Sequence, residues 1–530
     1  MTRRGLVGAP TLLRLALRRD RVMLPLWVVV LGVLPASTYR TYEQLYPTAA
    51  DRAGLTTTMG GAKTLVVMYG PAYDLTSAGG FTAWRMSGFL ALFTALLAIV
   101  TVVRHSRAEE ETGRAELVAA GVVGRYALPA AAVVTAVIGS AGVGLVVAAL
   151  LAAAGAPVAG SIAMGAGCAA AGTVFAALAA VTAQAASFGR TANAMAFSAL
   201  AVAYLVRALG DASPSLAWLS WVSPLSWATH LRAFAGERWW PLLLAAAVVA
   251  ALLLLARTLL ERRDVGSGVL APGDGPARAP ATLSTSLGLV WRLQRSSLGL
   301  WCVGVVVFGA ALGSLAGSIA DVMGGKQDVE DMVRDMGGSS VITDAYAALT
   351  VTMFGLLAAL YAVQAMLRAR AEEEQGHAEA LLASGATRLR WLGSHLAGSL
   401  LGSAVLVVLA GLAIGVTASM TANLSLGRVL EGAVVQLPAV WVLASLACLL
   451  VGLAPRAVVL AWVVTGVCLG LWFFGSLLGL SDAVLDVSPF AHVPQVPGSV
   501  VTATPLLALG ALALLLTVAG LLGMRRRDVG

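Results

Sequence analysis

The sequence predicts an all-α polytopic membrane protein, with about twelve transmembrane helices arranged as two tandem six-helix repeats. Three observations carry that prediction. Hydrophobic residues make up 59% of the 530 and charged residues only 12%, against roughly 25% charged residues in a soluble domain. Apolar runs of at least ~18 residues recur along the whole length, close to what a helix needs to cross a bilayer. The stretch RAEEETGRAE at 107–116 returns as RAEEEQGHAE at 370–379, differing only at Thr112/Gln375 and Arg114/His377. The short alternating segments of a β-barrel are absent from the sequence.

The first six spans fall at about 22–41, 82–103, 127–153, 158–185, 191–209 and 240–259. The second six fall at about 298–320, 346–367, 391–419, 430–453, 457–479 and 504–523. The third and fourth are rich in Ala and Gly, which lets helices approach closely in a membrane. Between the two sets, DVGSGVLAPGDGPARAPATLSTSL at 264–287 reads as a cytoplasmic linker, from its Gly, Pro, Ala and Ser content.

Further matches support a repeat. RRDVG occurs at 262–266 and again at 526–530, and Val222-Ser223-Pro224 matches Val487-Ser488-Pro489. Arg190 matches Arg456, and Arg18, Arg21 and Trp27 match Arg292, Arg295 and Trp301. Six spans per half give both halves one orientation, so a pseudo-two-fold axis along the membrane normal is expected.

With both termini cytoplasmic, 25 of the 35 Lys and Arg residues fall in inside segments, including Arg104, Arg107, Arg125, Arg263 and Arg388. This is the bias that orients helices in a membrane. It also explains a net charge of +8 without nucleic acid. The start, MTRRGLVGAP, reads as an uncleaved cytoplasmic segment.

Several chemistries lose support. Cys168, Cys302, Cys448 and Cys468 lie in apolar runs without CxxC spacing and read as core residues. The five His lack metal-ligand spacing. A P-loop needs GxxxxGK[ST], but the chain offers only GGAKT at Lys63 and GGKQ at Lys326, both in expected outside loops. The middles of the spans lack Asp, Glu, Lys and Arg, which disfavours a proton relay. Gln184, Gln364 and Gln436 remain as interhelical bonds. The loops at about 42–81, 208–239, 321–345 and 480–503 are expected outside. Within them SLAWLSWVSPLSWATHLRAFAGERWW reads as an interfacial aromatic belt or as a re-entrant gate.

The duplicated charged stretch sits after the second span of each half. Its Ala, Glu, Arg and Leu favour helix. Charges at i,i+4 pair as Arg107–Glu111, Glu110–Arg114, Arg370–Glu374 and Glu373–His377. One copy reads as a solvated helix; two nearly identical copies point to contact with the same kind of partner.

EEETGRAEL, its second copy EEEQGHAEAL, the RRDVG endings and the Ser-Pro loops resemble the permease subunits of actinobacterial ABC-type exporters, the polyketide-antibiotic or tetronasin class. The resemblance covers essentially the whole chain, and the doubled motif is its specific part. It implies two fused permease halves, 1–263 and 288–530, each with a coupling helix, at about 104–125 and about 367–390. It implies two copies of a separate ATPase subunit that bind ATP and Mg, with no cofactor in this chain. The residues that carry over as ATPase-coupling are Glu109, Glu110, Glu111, Gly113, Arg114 and Glu116, with Glu372, Glu373, Glu374, Gly376, His377 and Glu379. His377 replaces the first copy's Arg, which is where the two contacts would differ.

Transporters of that kind place cargo around the second and fifth spans. Phe89, Phe93, Phe197, Tyr204, Phe354, Tyr361, Trp472 and Phe473 are the candidate lining residues, and suit a bulky hydrophobic antibiotic, drug or lipid. Export across a bacterial plasma membrane follows from the resemblance. The competing reading is a gradient-driven facilitator with six plus six helices. Its Gly-x-x-x-Asp-Arg-type loop is replaced here by RHSRAEEETGRAE.

Overall fold

In the computed structural model the chain divides into two compact units, residues 1–275 and 276–530. The structure describes residues 3–59, 63–212, 214–264, 266–270, 278–317, 339–422, 424–474 and 481–527. Their regular structure is helical, without strands, and 12 helices are long and apolar enough to cross a membrane. The expected loop residues 321–338, including Lys326, lie outside the described residues.

The first unit holds the spans Met23–Tyr42, Ala78–Glu111, Ala127–Ala153, Val158–Ala185, Gly189–Asp211 and Pro241–Glu261. The fourth, Val158–Ala185, is the hub and packs on the second, third and sixth. Its composition explains why. Lipid tails are as apolar as Leu, so helices associate through close packing rather than hydrophobic expulsion. At the crossing of the third and fourth spans, a Cβ added to Gly144 would meet the Gly165 carbonyl oxygen at 2.5 Å, and one on Gly165 would meet that of Gly144 at 2.2 Å. Only glycine permits this approach.

An additional helix, Ala9–Arg19, precedes the first span and packs on the third. The expected linker also starts with structure. Val269 and Leu270 donate backbone N–H bonds to the carbonyls of Gln184 and Ala185, so 266–270 are pinned to the end of the fourth span.

The second unit holds Ser286–Ser314, Thr343–Glu374, Arg388–Ala422, Leu426–Leu453, Pro455–Phe473 and Ala503–Arg526. Its first and third spans pack together, as do its fourth and last. A Cβ on Gly452 would meet the Gly520 carbonyl oxygen at 2.0 Å, the same glycine-on-backbone device.

The three glutamines do bridge helices. Gln184 accepts from Arg263 at 2.8 Å, Gln364 accepts from the Trp301 indole at 3.1 Å, and Gln436 donates to Thr352 at 3.2 Å. Cys168, Cys448 and Cys468 are buried and Cys302 half-buried, consistent with core packing.

The aromatic segment before the sixth span folds into three short helices, Pro214–Leu216, Ala217–Val222 and Pro224–His230. Trp218, Trp239 and Trp240 are exposed while Leu225, Trp227 and His230 are buried. His230 knits the segment together. Its Nδ1 lies 3.0 Å from the Tyr73 hydroxyl, its Nε2 lies 3.0 Å from the Ser220 hydroxyl, and its ring packs on Trp221 at 4.2 Å.

Burial, with Arg232 and Arg238 nearby, pushes the His230 imidazole down to about 4. The unfolded chain takes up this proton near the ordinary value of 6.5. The folded node resists it, so stability is fully present above that value and is lost as pH falls towards 4. Asp211 faces the same space. Protection factors of the amides across 214–230, which divide out the slower intrinsic exchange in acid, are expected to fall from pH 7 to pH 5 in the wild type and in Asp211→Asn. The fall is expected to be much smaller in His230→Gln.

Candidate functional site

The charged stretch of the first unit is not one straight surface helix. The second span's helix ends at Arg104, a turn follows, and Arg107–Glu111 forms a short helix. Gly113 then takes φ +73° and a second helix runs Arg114–Ala119. That left-handed backbone is cheap only for glycine, so the chain reverses at the Gly of the motif. In the second unit Gly376 takes φ +74° between Ser339–Glu374 and His377–Ala383.

Three of the four expected i,i+4 pairs are replaced by others. Arg107 pairs with Glu110 at 2.8 Å rather than Glu111. Arg114 lies nearest Glu109, at 3.5 Å, rather than Glu110. His377 lies 3.3 Å from Glu372 rather than Glu373. Only Arg370–Glu374 forms as expected, at 3.0 Å. The turn at each Gly rotates the residues beyond it off the helical register, so counting by four fails for Arg114 and His377, while Arg107 and Glu111 are drawn apart by Glu110 and the Gly189 amide.

What organises the stretch is a buried clamp. Glu110 receives Arg107 on one side and a two-pronged Arg263 on the other, at 2.8 and 2.6 Å. Arg107 is 1% exposed, Arg263 6% and Glu110 9%. The remaining donors are used too. Arg107 Nε bonds the Ala183 carbonyl at 2.8 Å, and both guanidiniums reach the Ser267 carbonyl, at 3.0 and 2.9 Å. A buried ion pair tolerates its desolvation only when its other hydrogen-bonding positions are filled in this way. The clamp therefore ties the second span to the ends of the fourth and sixth.

The second unit contains the same three residue types. Glu373 is held by Arg370 at 3.2 Å and contacts Arg527, which also donates to the Val451 carbonyl at 2.5 Å. A further arginine closes each clamp from behind. Arg125 donates to the Arg263 carbonyl at 2.5 Å, and Arg388 donates to the Arg527 carbonyl at 2.8 Å. Arg263 and Arg527 are the second arginines of the two RRDVG endings. Sequence reasoning used those endings as repeat markers and missed their partner. The signal was available, because 107→370 and 263→527 differ by nearly one offset.

The twelve residues expected to couple therefore divide. Glu110 and Glu373 are the clamp carboxylates. Glu109 is engaged by Arg19 at 2.7 Å, and Glu372 by Arg368 at 3.1 Å. Glu111 accepts the backbone N–H of Gly189 at 2.9 Å, at the start of the fifth span's helix, where the helix dipole favours an anion. Arg114, Glu116, Glu374, His377 and Glu379 face outward around the two glycine turns. Leu117 and Val122, at 80% and 89% exposure, add apolar surface beside the first turn.

The eight aromatic residues have different surroundings. Phe354 and Tyr361 are buried in the core of the second unit, and Phe197 and Tyr204 pack against the core of the first. Phe89 packs on Tyr69 at 5.9 Å, and Trp472 on Phe473 at 4.6 Å. Phe93 and Phe473 are exposed and can meet a hydrophobic molecule directly.

A family model described as the multidrug efflux system permease Rv1217c, C-terminal domain, matches residues 11–259 and 283–525. The chain belongs to this permease family. It is 43% identical over 529 residues to the multidrug efflux system permease protein Rv1217c of Mycobacterium tuberculosis (strain ATCC 25618 / H37Rv), covering 99% of this chain and 96% of that protein. The matched stretches include Arg107 and Glu110 in the first unit and Arg370 and Glu373 in the second, and end a few residues before Arg263 and Arg527. Such a clamp can hold its turn rigid against the spans it joins.

Proposed function

We propose that the chain is the membrane-spanning subunit of an ATP-driven exporter of bulky hydrophobic compounds, with ATP and Mg bound by two copies of a separate ATPase subunit. The single observation that carries the reading is the recurrence of the clamped glycine turn, once in each unit. Each turn presents charged side chains outward while its base is locked into three spans. A force on the turn is then passed to the second, fourth and last spans of its unit together, which a freely solvated helix could not do.

The description of the Mycobacterium tuberculosis relative as a multidrug efflux system permease supports export. The two stretches matched by the family model fall one in each compact unit, in keeping with a tandem repeat. The arginine bias of the sequence supports cytoplasmic termini, which puts both turns on the side where ATP is available.

The reading is tested by ATP hydrolysis. The purified chain is expected to hydrolyse no ATP alone, and turnover is expected to appear only when a separate ATPase subunit is added. Robust hydrolysis by the chain alone would overturn it.

A further inference from the structure

At the end of the first unit opposite the clamp lies a cavity of about 310 Å³, lined among others by Tyr73, Asp211, Trp221, His230, Arg232 and Arg238. That volume is at the lower edge of small-molecule sites. We propose that this cavity binds an anionic amphiphile, a single acidic group on an apolar or aromatic body, with Arg232 and Arg238 holding the acid and Trp221 the body.

The cations face the cavity because of how their loop is built. Arg232 and Phe234 both take left-handed backbone, φ 51° and 63°, a conformation non-glycine residues rarely adopt and one that clusters at functional sites. The Phe234 ring is wedged where Gly79 and Gly160 lack side chains; a Cβ on either would meet it at 2.7 or 2.2 Å. That wedge fixes the turn and leaves Arg232 over the Tyr73 ring at 4.4 Å.

Of the nearby carboxylates, Asp211 lines the cavity beside the two arginines and Asp74 is held by its own loop. Asp211 lies 3.8 Å from Arg207, and Asp74 accepts from Thr76 and Ser77. Among the described residues none stands within salt-bridge distance of Arg232 or Arg238. The apolar wall is equally defined, since Trp221 stacks on Trp240 at 4.8 Å and against the neutral ring of His230. Two cations beside a half-buried aromatic wall select a negative charge attached to an apolar body.

The acid could come from an anionic lipid headgroup or from a free compound, and the experiment separates them. The full chain is placed in phosphatidylcholine nanodiscs and titrated with dansylglycine, with uncharged dansylamide as control. Dansylglycine is expected to bind saturably, and each of Arg232→Gln and Arg238→Gln is expected to weaken it about tenfold. Arg238→Lys should restore part of the loss, and dansylamide should respond to neither change. Displacement by phosphatidylglycerol built into the disc assigns the site to lipid; displacement only by soluble naphthalenesulfonate assigns it to a free compound. Arg238 is exposed, so its variant folds whatever the outcome at Arg232. Equal dansylglycine binding by wild type and Arg238→Gln, or an equal loss for dansylamide, overturns the proposal.

Discussion

Glu110→Ala is expected to be among the most damaging single substitutions in the chain. It leaves Arg107 and Arg263 buried and facing each other without the carboxylate between them. Removing one member of a buried ion pair costs about 3–5 kcal/mol, because the remaining charge stays desolvated. Thermal unfolding of the detergent-purified protein should show the loss.

Glu373→Ala should cost less. The side chains of its partners Arg370 and Arg527 are 24% and 15% exposed, so water can replace part of what is removed. Substituting Glu110, Arg107 and Arg263 together by Met and Leu is expected to recover part of the loss, since it removes the buried charges but leaves the Ala183 and Ser267 carbonyls without their donors. An unchanged melting profile for Glu110→Ala would contradict the clamp.

The second large effect concerns the outward faces of the turns. Arg114→Glu and Glu116→Lys, combined with His377→Glu and Glu379→Lys, reverse exposed charges and leave both clamps intact. The quadruple variant is expected to fold normally and to lose co-purification of the ATPase subunit by at least about tenfold. Reversing Glu109 to Glu111 would not give this information, because those carboxylates hold Arg19, Arg107, Arg263 and the Gly189 amide. Retention of the partner by the quadruple variant at moderate salt would sink the docking role.

The spans were legible in the sequence for a physical reason. A bilayer demands ~20 apolar residues for each crossing, whatever the tertiary packing. Each of the twelve expected spans overlaps a helix of that kind, with ends that move by several residues; the second unit's first span begins at Ser286 rather than about 298, and the expected ends 318–320 and 475–479 lie outside the described residues. The helix Ala9–Arg19 was missed because its apolar run is too short to register as a span.

The site was legible only as a pattern. The doubled motif marked where to look, but i,i+4 counting sees only neighbours on one helix surface. Glu110 finds Arg263 across 153 residues, which no local rule supplies. Shared offsets between two repeated motifs were the usable clue. The aromatic residues illustrate the opposite case. A span that is apolar all round gives no periodicity to say which side faces a partner, so Tyr361 in the core and Phe473 at the surface look alike in sequence. The cavity beneath Arg232 was invisible for another reason: it depends on a left-handed turn at two non-glycine residues.

The central claim is that ATP, acting through the clamped turns, energises movement of a hydrophobic compound. The direct measurement is transport of such a compound into inverted vesicles containing the chain and the proposed ATPase subunit, with the proton and sodium gradients collapsed by ionophores. Transport is expected to continue while ATP is present and to stop when it is withdrawn. Transport that stops with the gradients and ignores ATP would contradict the account and favour a gradient-driven facilitator.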